Sequence, residues 1–238
     1  MANFTSIGPK LLESGDYSDF TLVCEDQKFR VHKSIVCAQC PVFAAATKGG
    51  FKEAETNTFH VVDFKPVTLK CMLQYMYTGK YEEKPHCCPN DNVQEPSQEN
   101  DNDDSTKNIS ERWIHHGLVN CIADFFRLPE LAKMSVATLD EITQKDWSAN
   151  AFCDLLYATL GKTGDQGFHL LLATRAADHI DHLTAMGLFN GSDLSNELAP
   201  AFLRICVQRL NALQAELVGD EAPGEGSSSF ILLHSGLV

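Results

Sequence analysis

SDFTLVCEDQKFRVHKSIVCAQCPVFAAATKGGFKEAETNTFHVVDFKPVTLKCMLQYMYTGKY, residues 18–81, reads as one compact unit from which the remainder of the chain hangs. Phe20, Leu22 and Cys24 alternate with Thr21 and Val23, and after a polar break at residues 25–27 Phe29 and Val31 alternate with Lys28 and Arg30. Period-two alternation on both sides of a break predicts the two half-buried strands of a hairpin. The break holds no Gly and no Asn-Gly pair, so the register follows from the alternation and not from turn chemistry. Ile35, Val36, Ala38 and Gln39 continue as a short helix that stops at Cys40, because the residue before a proline is pushed out of helical backbone. Pro41 suits the first turn of a second helix over 42–47, for which Gly49-Gly50 offers a positive-φ cap. Phe59 and Val61, alternating with His60 and Val62, predict a third strand. Pro66 opens a further helix whose Leu69, Met72, Leu73 and Met76 recur at i, i+3, i+4 and i+7, and Gly79 closes it.

Ser18-Asp19-Phe20, Val31-His32-Lys33, Pro41-x-Phe43, Phe51-Lys52-Glu53 and Tyr75-x-Tyr77-Thr78-Gly79 stand in an order and spacing that resembles the BTB/POZ family. Five motifs in register carry the likeness where none would singly. It implies an α+β fold, a small sheet with helical hairpins, and a role in binding other proteins.

The composition fits an intracellular protein, cytoplasmic or nuclear. A chain of 238 residues is long enough for a sizeable core. A formal charge of −13 excludes nucleic acid and anionic membrane as main partners, since both require a basic face, and no basic cluster in the sequence overrides the average. Residues 1–5 lack the charged stretch and apolar run of a secretory signal, and no apolar run reaches membrane-spanning length. Nine cysteines, odd in number and scattered, read as small buried hydrophobes and not as a disulfide framework.

Along the chain, residues 1–17 form an N-terminal arm with a helical turn or two from Ile7 to Ser14, stopped by Gly15. From Glu82 to Thr106 the composition changes: Glu82, Glu83, Asp91, Glu95, Glu99, Asp101, Asp103 and Asp104 face a single Lys84. Such a stretch buries too little apolar surface to offset its ordering entropy, so residues 82–108 are expected to be a disordered acidic insertion, a solvated spacer. The domain resumes over 109–143, where Ile114, Leu118, Cys121, Ile122 and Phe125 predict one apolar helix face, and a following helix carries Leu131 and Met134. Residues 122–131 resemble the late helical pair of BTB proteins, so the insertion splits one fold. An all-helical extension follows over 144–218. Phe152, Leu155 and Leu156 mark its first helix; Leu170, Ala173, Ala177 and Ile180 a second; Phe202, Cys206, Leu210, Leu213 and Leu217 a third, opened by Pro200. Asp146-Trp147, Phe152 and Leu155-Leu156-Tyr157 resemble the extension of BTB-only proteins of filamentous fungi. Residues 219–238 are expected to be a flexible tail.

Motifs for chemistry are thin. Gly161-Lys162-Thr163 has the end of a phosphate-binding loop, but Leu156 stands where that motif needs Gly and a helix precedes it instead of a strand. Cys37 and Cys40 have redox spacing without a thioredoxin-like pattern around them, which favours packing. His86-Cys87-Cys88 lacks a second ligand pair for zinc, and His179 and His182 lack a third ligand. His115 and His116 are neighbours and so point to different sides of a helix. An interaction module without cofactor or metal fits better than an enzyme; a metal or redox protein is the remote alternative.

The resemblance implies specific binding residues. Phe51-Lys52-Glu53 matches the hydrophobic-x-Glu motif by which BTB adaptors engage the cullin-3 ubiquitin-ligase scaffold. Physically, the apolar side chain fills a pocket while the carboxylate fixes orientation. Exposure of Phe51 is the local condition for that role. Packing at the end of the preceding helix is the alternative. Asp19 and Lys33 correspond to the paired charges of the BTB groove, with a structural ion pair as the favoured reading, and His32 is expected to be a core histidine bonded to local backbone. The resemblance also implies homodimerisation through the N-terminal helix. Two functions stand at this point: a substrate adaptor of a cullin-3 ligase, or a dimerising scaffold, such as a transcription-linked regulator, without a cullin.

Overall fold

The computed structural model describes residues 4–82, 101–185 and 207. In chain order they form α1 (Phe4–Ser14), β1 (Phe20–Cys24), β2 (Gln27–Val31), α2 (Lys33–Gln39), α3 (Pro41–Ala46), α4 (Lys52–Thr56), β3 (Thr58–Val61), α5 (Pro66–Thr78), α6 (Asp101–Phe125), α7 (Pro129–Lys145), α8 (Ala149–Thr159), α9 (Gln166–Asp178) and α10 (Ile180–Ala185). This is the α+β arrangement expected of a small BTB sheet with helices, followed by helices alone.

The strand alternation carries directly into the sheet, whose order is β2-β1-β3. Strand β1 pairs antiparallel with β2, Phe20 opposite Val31 and Leu22 opposite Phe29, and parallel with β3, Leu22 beside Phe59. Phe20, Leu22 and Cys24 are all buried. The hairpin closes in two residues, and Glu25 takes the positive φ of 50° that glycine would adopt without strain. Helix α5 buries Leu69, Met72, Leu73 and Met76 and ends at Gly79 with φ 75°.

The hydrophobic core divides in two. The first packs Phe20, Leu22, Val36, Phe43 and Met72 against Ile122, Phe126 and Leu131. Its aromatic centre is Phe43, 4.9 Å from the Phe126 ring and 5.3 Å from Phe59. The second gathers Trp113, Ile142, Phe152, Leu155, Phe168 and Leu172 from α6 to α9. Helix α6 contributes to both.

Two helix faces are corrected. Cys121 and Ile122 are buried as expected, but Ile114 and Leu118 are half-buried and Phe125 is 50% exposed, while Trp113, Val119, Ala123 and Phe126 go inside. A helix covered from two sides has no single stripe to read. In α9 Ala173 is buried as expected, but Leu170 and Ile180 stand 52% and 39% exposed; Phe168, Leu171, Leu172 and Ala176 complete the buried face. His179 interrupts the helix, so Ile180 belongs to α10. Helix α3 is capped by Thr47, whose hydroxyl donates to the carbonyls of Phe43 and Ala44, while Gly49 takes its φ of 90° further on. Helix α4 was not anticipated, and α6 begins at Asp101, inside the stretch expected to lack structure; extending a helix already anchored at Trp113 costs far less than nucleating one. The third helix of the extension, the tail, His86-Cys87-Cys88 and residues 83–100 of the acidic stretch lie outside the described residues, except that Val207 is helical and exposed.

His115 and His116 do not diverge. Both are buried, their rings 5.3 Å apart, and both meet the segment after α5: His115 Nε2 lies 3.0 Å from the Glu82 carbonyl and His116 Nδ1 2.8 Å from the Tyr81 hydroxyl. His116 Nε2 is buried with no hydrogen-bond partner. Burial, then the adjacent His115 and Arg112, push its pKa down to about 3.

Two outcomes follow from this packing. Because folded His116 refuses a proton that the unfolded chain accepts, stability is complete above about pH 6.5 and falls as the pH drops towards about 3. His116→Gln should flatten that decline, by at most about 1.4 kcal/mol per pH unit, in melting curves recorded from about pH 7 to 4. At Gly8 a Cβ would lie 2.1 Å from the Tyr77 carbonyl oxygen, so Gly8→Ala should lift α1 from α5, with faster amide exchange over residues 7–14 and a smaller change at α6.

Candidate protein-interaction site

Residues 47–50 leave the capped end of α3, turn at Gly49 and deliver Phe51 as the residue ahead of α4. The Phe51 carbonyl accepts from Ala54 N–H at 3.0 Å, so its main chain is committed to the helix start while its side chain stands 59% exposed. Lys52 is exposed and Glu53 half-buried in the following turn. The segment therefore offers an apolar knob with a carboxylate two residues on, the geometry in which the aromatic supplies buried area and the acid supplies direction.

Asp19 and Lys33 take separate partners and form no ion pair. The Asp19 carboxylate accepts the backbone N–H of Lys33 at 2.7 Å, at the first residue of α2, and is itself exposed. The Lys33 ammonium donates to Asn57 Oδ1 at 2.5 Å and lies 5.9 Å above the Phe20 ring. The start of α2 presents an amide that lacks an intrahelical partner, and the carboxylate serves it in preference to a lysine with another acceptor in reach.

His32 is buried, as expected, but its bonds are longer in range. Its Nε2 donates to the Asp16 carbonyl at 2.7 Å, whereas its Nδ1 meets the Tyr77 hydroxyl, 45 residues away, also at 2.7 Å. The same hydroxyl accepts from the His32 backbone N–H at 2.9 Å. Burial pushes the Tyr77 hydroxyl up to about 12, so it keeps the proton that it shares with the ring. One phenol thus joins the end of β2, the start of α2, the turn after α1 and helix α5. Neither Tyr77 nor Asn57 was singled out in the sequence as a partner, because spacing carries no signal for side chains that meet only in the fold.

The other motif residues hold structure together. Cys40 donates to the Phe126 carbonyl at 3.3 Å and Cys37 lies 3.5 Å from the Thr47 hydroxyl, and burial raises the Cys40 thiol away from the reactive thiolate. The six described cysteines are free thiols. Thr163 lies buried with its hydroxyl within 3.2 Å of Asn120 Oδ1 and Asp124 Oδ2, and Gly164 N–H donates to Asp124 at 2.7 Å, which braces the α8–α9 loop against α6. Carboxylates so placed repel phosphate. His179 stacks on Trp147 at 3.7 Å and 11°, an aromatic contact and not a chelate. Among the described residues no three His, Cys, Asp or Glu side chains gather as a metal site.

Tyr77→Phe removes the shared hydroxyl and leaves the buried His32 N–H and Nδ1 unsatisfied. The expected loss is about 1 to 3 kcal/mol of unfolding free energy, read from a urea titration.

Comparison with known proteins places part of the chain in a family. Residues 9–95 match the BTB/POZ domain family. The mouse TD and POZ domain-containing protein 4 is 35% identical over 71 residues, which cover 30% of this chain and 19% of that protein, so the chain spans about a fifth of that curated relative. The BTB domain of zebrafish PATZ1 aligns with 58% of this chain and 88% of its own at 12% identity and a TM-score of 0.38. The chain therefore carries a BTB/POZ domain, a protein–protein interaction module, at residues 9–95.

Proposed function

We propose that the chain is an adaptor that presents Phe51 and Glu53 to a cullin-3 scaffold of a ubiquitin ligase. The observation that carries this reading is the 59% exposure of Phe51, which meets the condition set by the hydrophobic-x-Glu motif. A phenylalanine needed only for packing would be turned inward; this one precedes α4 with Glu53 in the same turn. Helices α8 and α9, outside the matched sheet region, are then a surface available for a substrate. The proposed compartment is the cytoplasm or nucleus. Among the described residues no helix is long and apolar enough to cross a membrane.

A second reading, a dimerising scaffold without a cullin, draws on α1. Gly8 seats that helix against the α5 backbone at Tyr77, while Ile7 remains exposed. An apolar side chain on the outer part of a docked helix suits a second copy or another BTB chain.

Calorimetric titration of the purified protein into the N-terminal half of cullin-3 separates the two. The adaptor reading expects binding that weakens by about 30-fold in Phe51→Ala and clearly in Glu53→Ala, as removal of an interface hot spot does. Both variants should melt with the parent, since Phe51 is exposed. Absence of binding by the folded parent, or equal binding by both variants, would sink the adaptor reading, and a dimer mass by light scattering would then favour the scaffold.

A further inference from the structure

A groove of about 730 Å³ lies between α1, β2 and the end of α5, away from Phe51–Glu53. Lys28 and Arg30 reach it from the strand, Lys70 and Lys80 from α5 and the residues just after it. The sequence shows no basic cluster here, because these residues are spread over fifty positions. Folding collects them. Two carboxylates, Glu13 and Glu82, also line the groove. Its apolar part comes from half-buried Leu12 and Phe29 and buried Leu73.

What sets these cations apart is that four of them share one groove. Like most lysines and arginines of the described residues they are not neutralised by ion pairs, which Lys133, Lys145 and Arg175 form with carboxylates. Among the described residues Lys28, Lys70 and Lys80 form no ion pair, and Arg30 donates only to the Ser14 carbonyl, at 2.6 Å. Gathering like charges raises the free energy of the free protein, and an anionic occupant relieves it. Among the described residues strand β2 is also an edge strand, hydrogen-bonded in the sheet to β1 alone. Its outer side offers main-chain groups to an extended segment.

We propose that this groove binds an acidic peptide in extended form, with carboxylates on Lys28, Arg30, Lys70 and Lys80 and an apolar side chain between Leu12, Phe29 and Leu73. A nucleic acid fits less well on three counts. Glu13 and Glu82 would oppose a continuous phosphate backbone, the apolar lining would stay unused, and the charge of −13 repels a long polyanion more than a short peptide.

The test is fluorescence anisotropy of the full chain with a labelled peptide of about twelve residues alternating Glu and Leu. Its controls are the same peptide with Gln for Glu and a single-stranded oligonucleotide of equal charge. The expected result is binding to the Glu peptide that weakens as salt rises from about 0.05 to about 0.3 M. The combined Lys28→Glu, Lys70→Glu and Lys80→Glu variant should lower affinity by about tenfold or more, and Phe51→Ala should leave it unchanged. All three lysines are exposed, so the variant should fold; the corresponding Lys→Gln set, checked by its melting curve, serves if it does not. Failure of the Glu peptide to bind, equal binding by the folded lysine variants, or an oligonucleotide bound as tightly as the peptide would each overturn the proposal.

Discussion

Helix α6 has to satisfy two cores with one sequence, and the arrangement of the described residues depends on that. Val119, Ile122, Ala123 and Phe126 complete the core begun by the sheet and α5, while Trp113 enters the core made with α7, α8 and α9. Between them stands Gly117, where a Cβ would come within 2.6 Å of Leu155 and 2.8 Å of Thr159, both fully enclosed, so the small residue sets how closely α8 approaches. Asn120 and Asp124 on the same helix bind Thr163, Gly164 and Asp165, which satisfies polar groups that burial would otherwise leave costly. The extension is therefore built on a helix whose other end closes the core of the sheet. A change in α6 packing would reach both.

A second constraint works at smaller scale. The Tyr77 hydroxyl holds His32 while Asp19 caps α2 and Lys33 reaches Asn57, so three short side-chain bonds lock the hairpin to α2, to the turn before β3 and to α5. Each bond crosses a junction between elements and none lies within one. That distribution suits a binding module: the scaffold is braced at its seams, and Phe51, the residue proposed to meet a partner, stands at a helix start whose backbone is already committed.

How much of this could be read from the chain depended on how local each cause was. The hairpin was legible because one buried face imposes period two on Phe20, Leu22, Cys24, Phe29 and Val31, and α5 because Leu69, Met72, Leu73 and Met76 form a single stripe. Prolines at 41 and 66 mark helix starts by their fixed φ. Helix α4, at five residues, is too short to show a period. The face of α6 is hard to place because burial from two sides removes the polar stripe that sets phase. Helix α9 buries one stripe, Phe168, Leu171, Leu172 and Ala176, but the unbroken apolar run over 170–173 lets a neighbouring phase be read. At the candidate site, Phe51 and Glu53 are legible only through the resemblance to a family motif, whereas Asn57 and Tyr77 act over 24 and 45 positions and leave no pattern to find.

The basic groove shows the same limit for charge. A total of −13 describes the field far from the protein, where contributions blur together. At physiological salt an exposed charge is felt over only about 8 Å, so a partner touching the groove responds to its own lining of four cations and two acids and to little beyond it. Net charge therefore decides which long polyanions stay away, and local charge decides which short segments bind. An acidic chain with a basic recess is consistent on both counts, and the recess becomes visible only when β2 and the end of α5 are brought side by side.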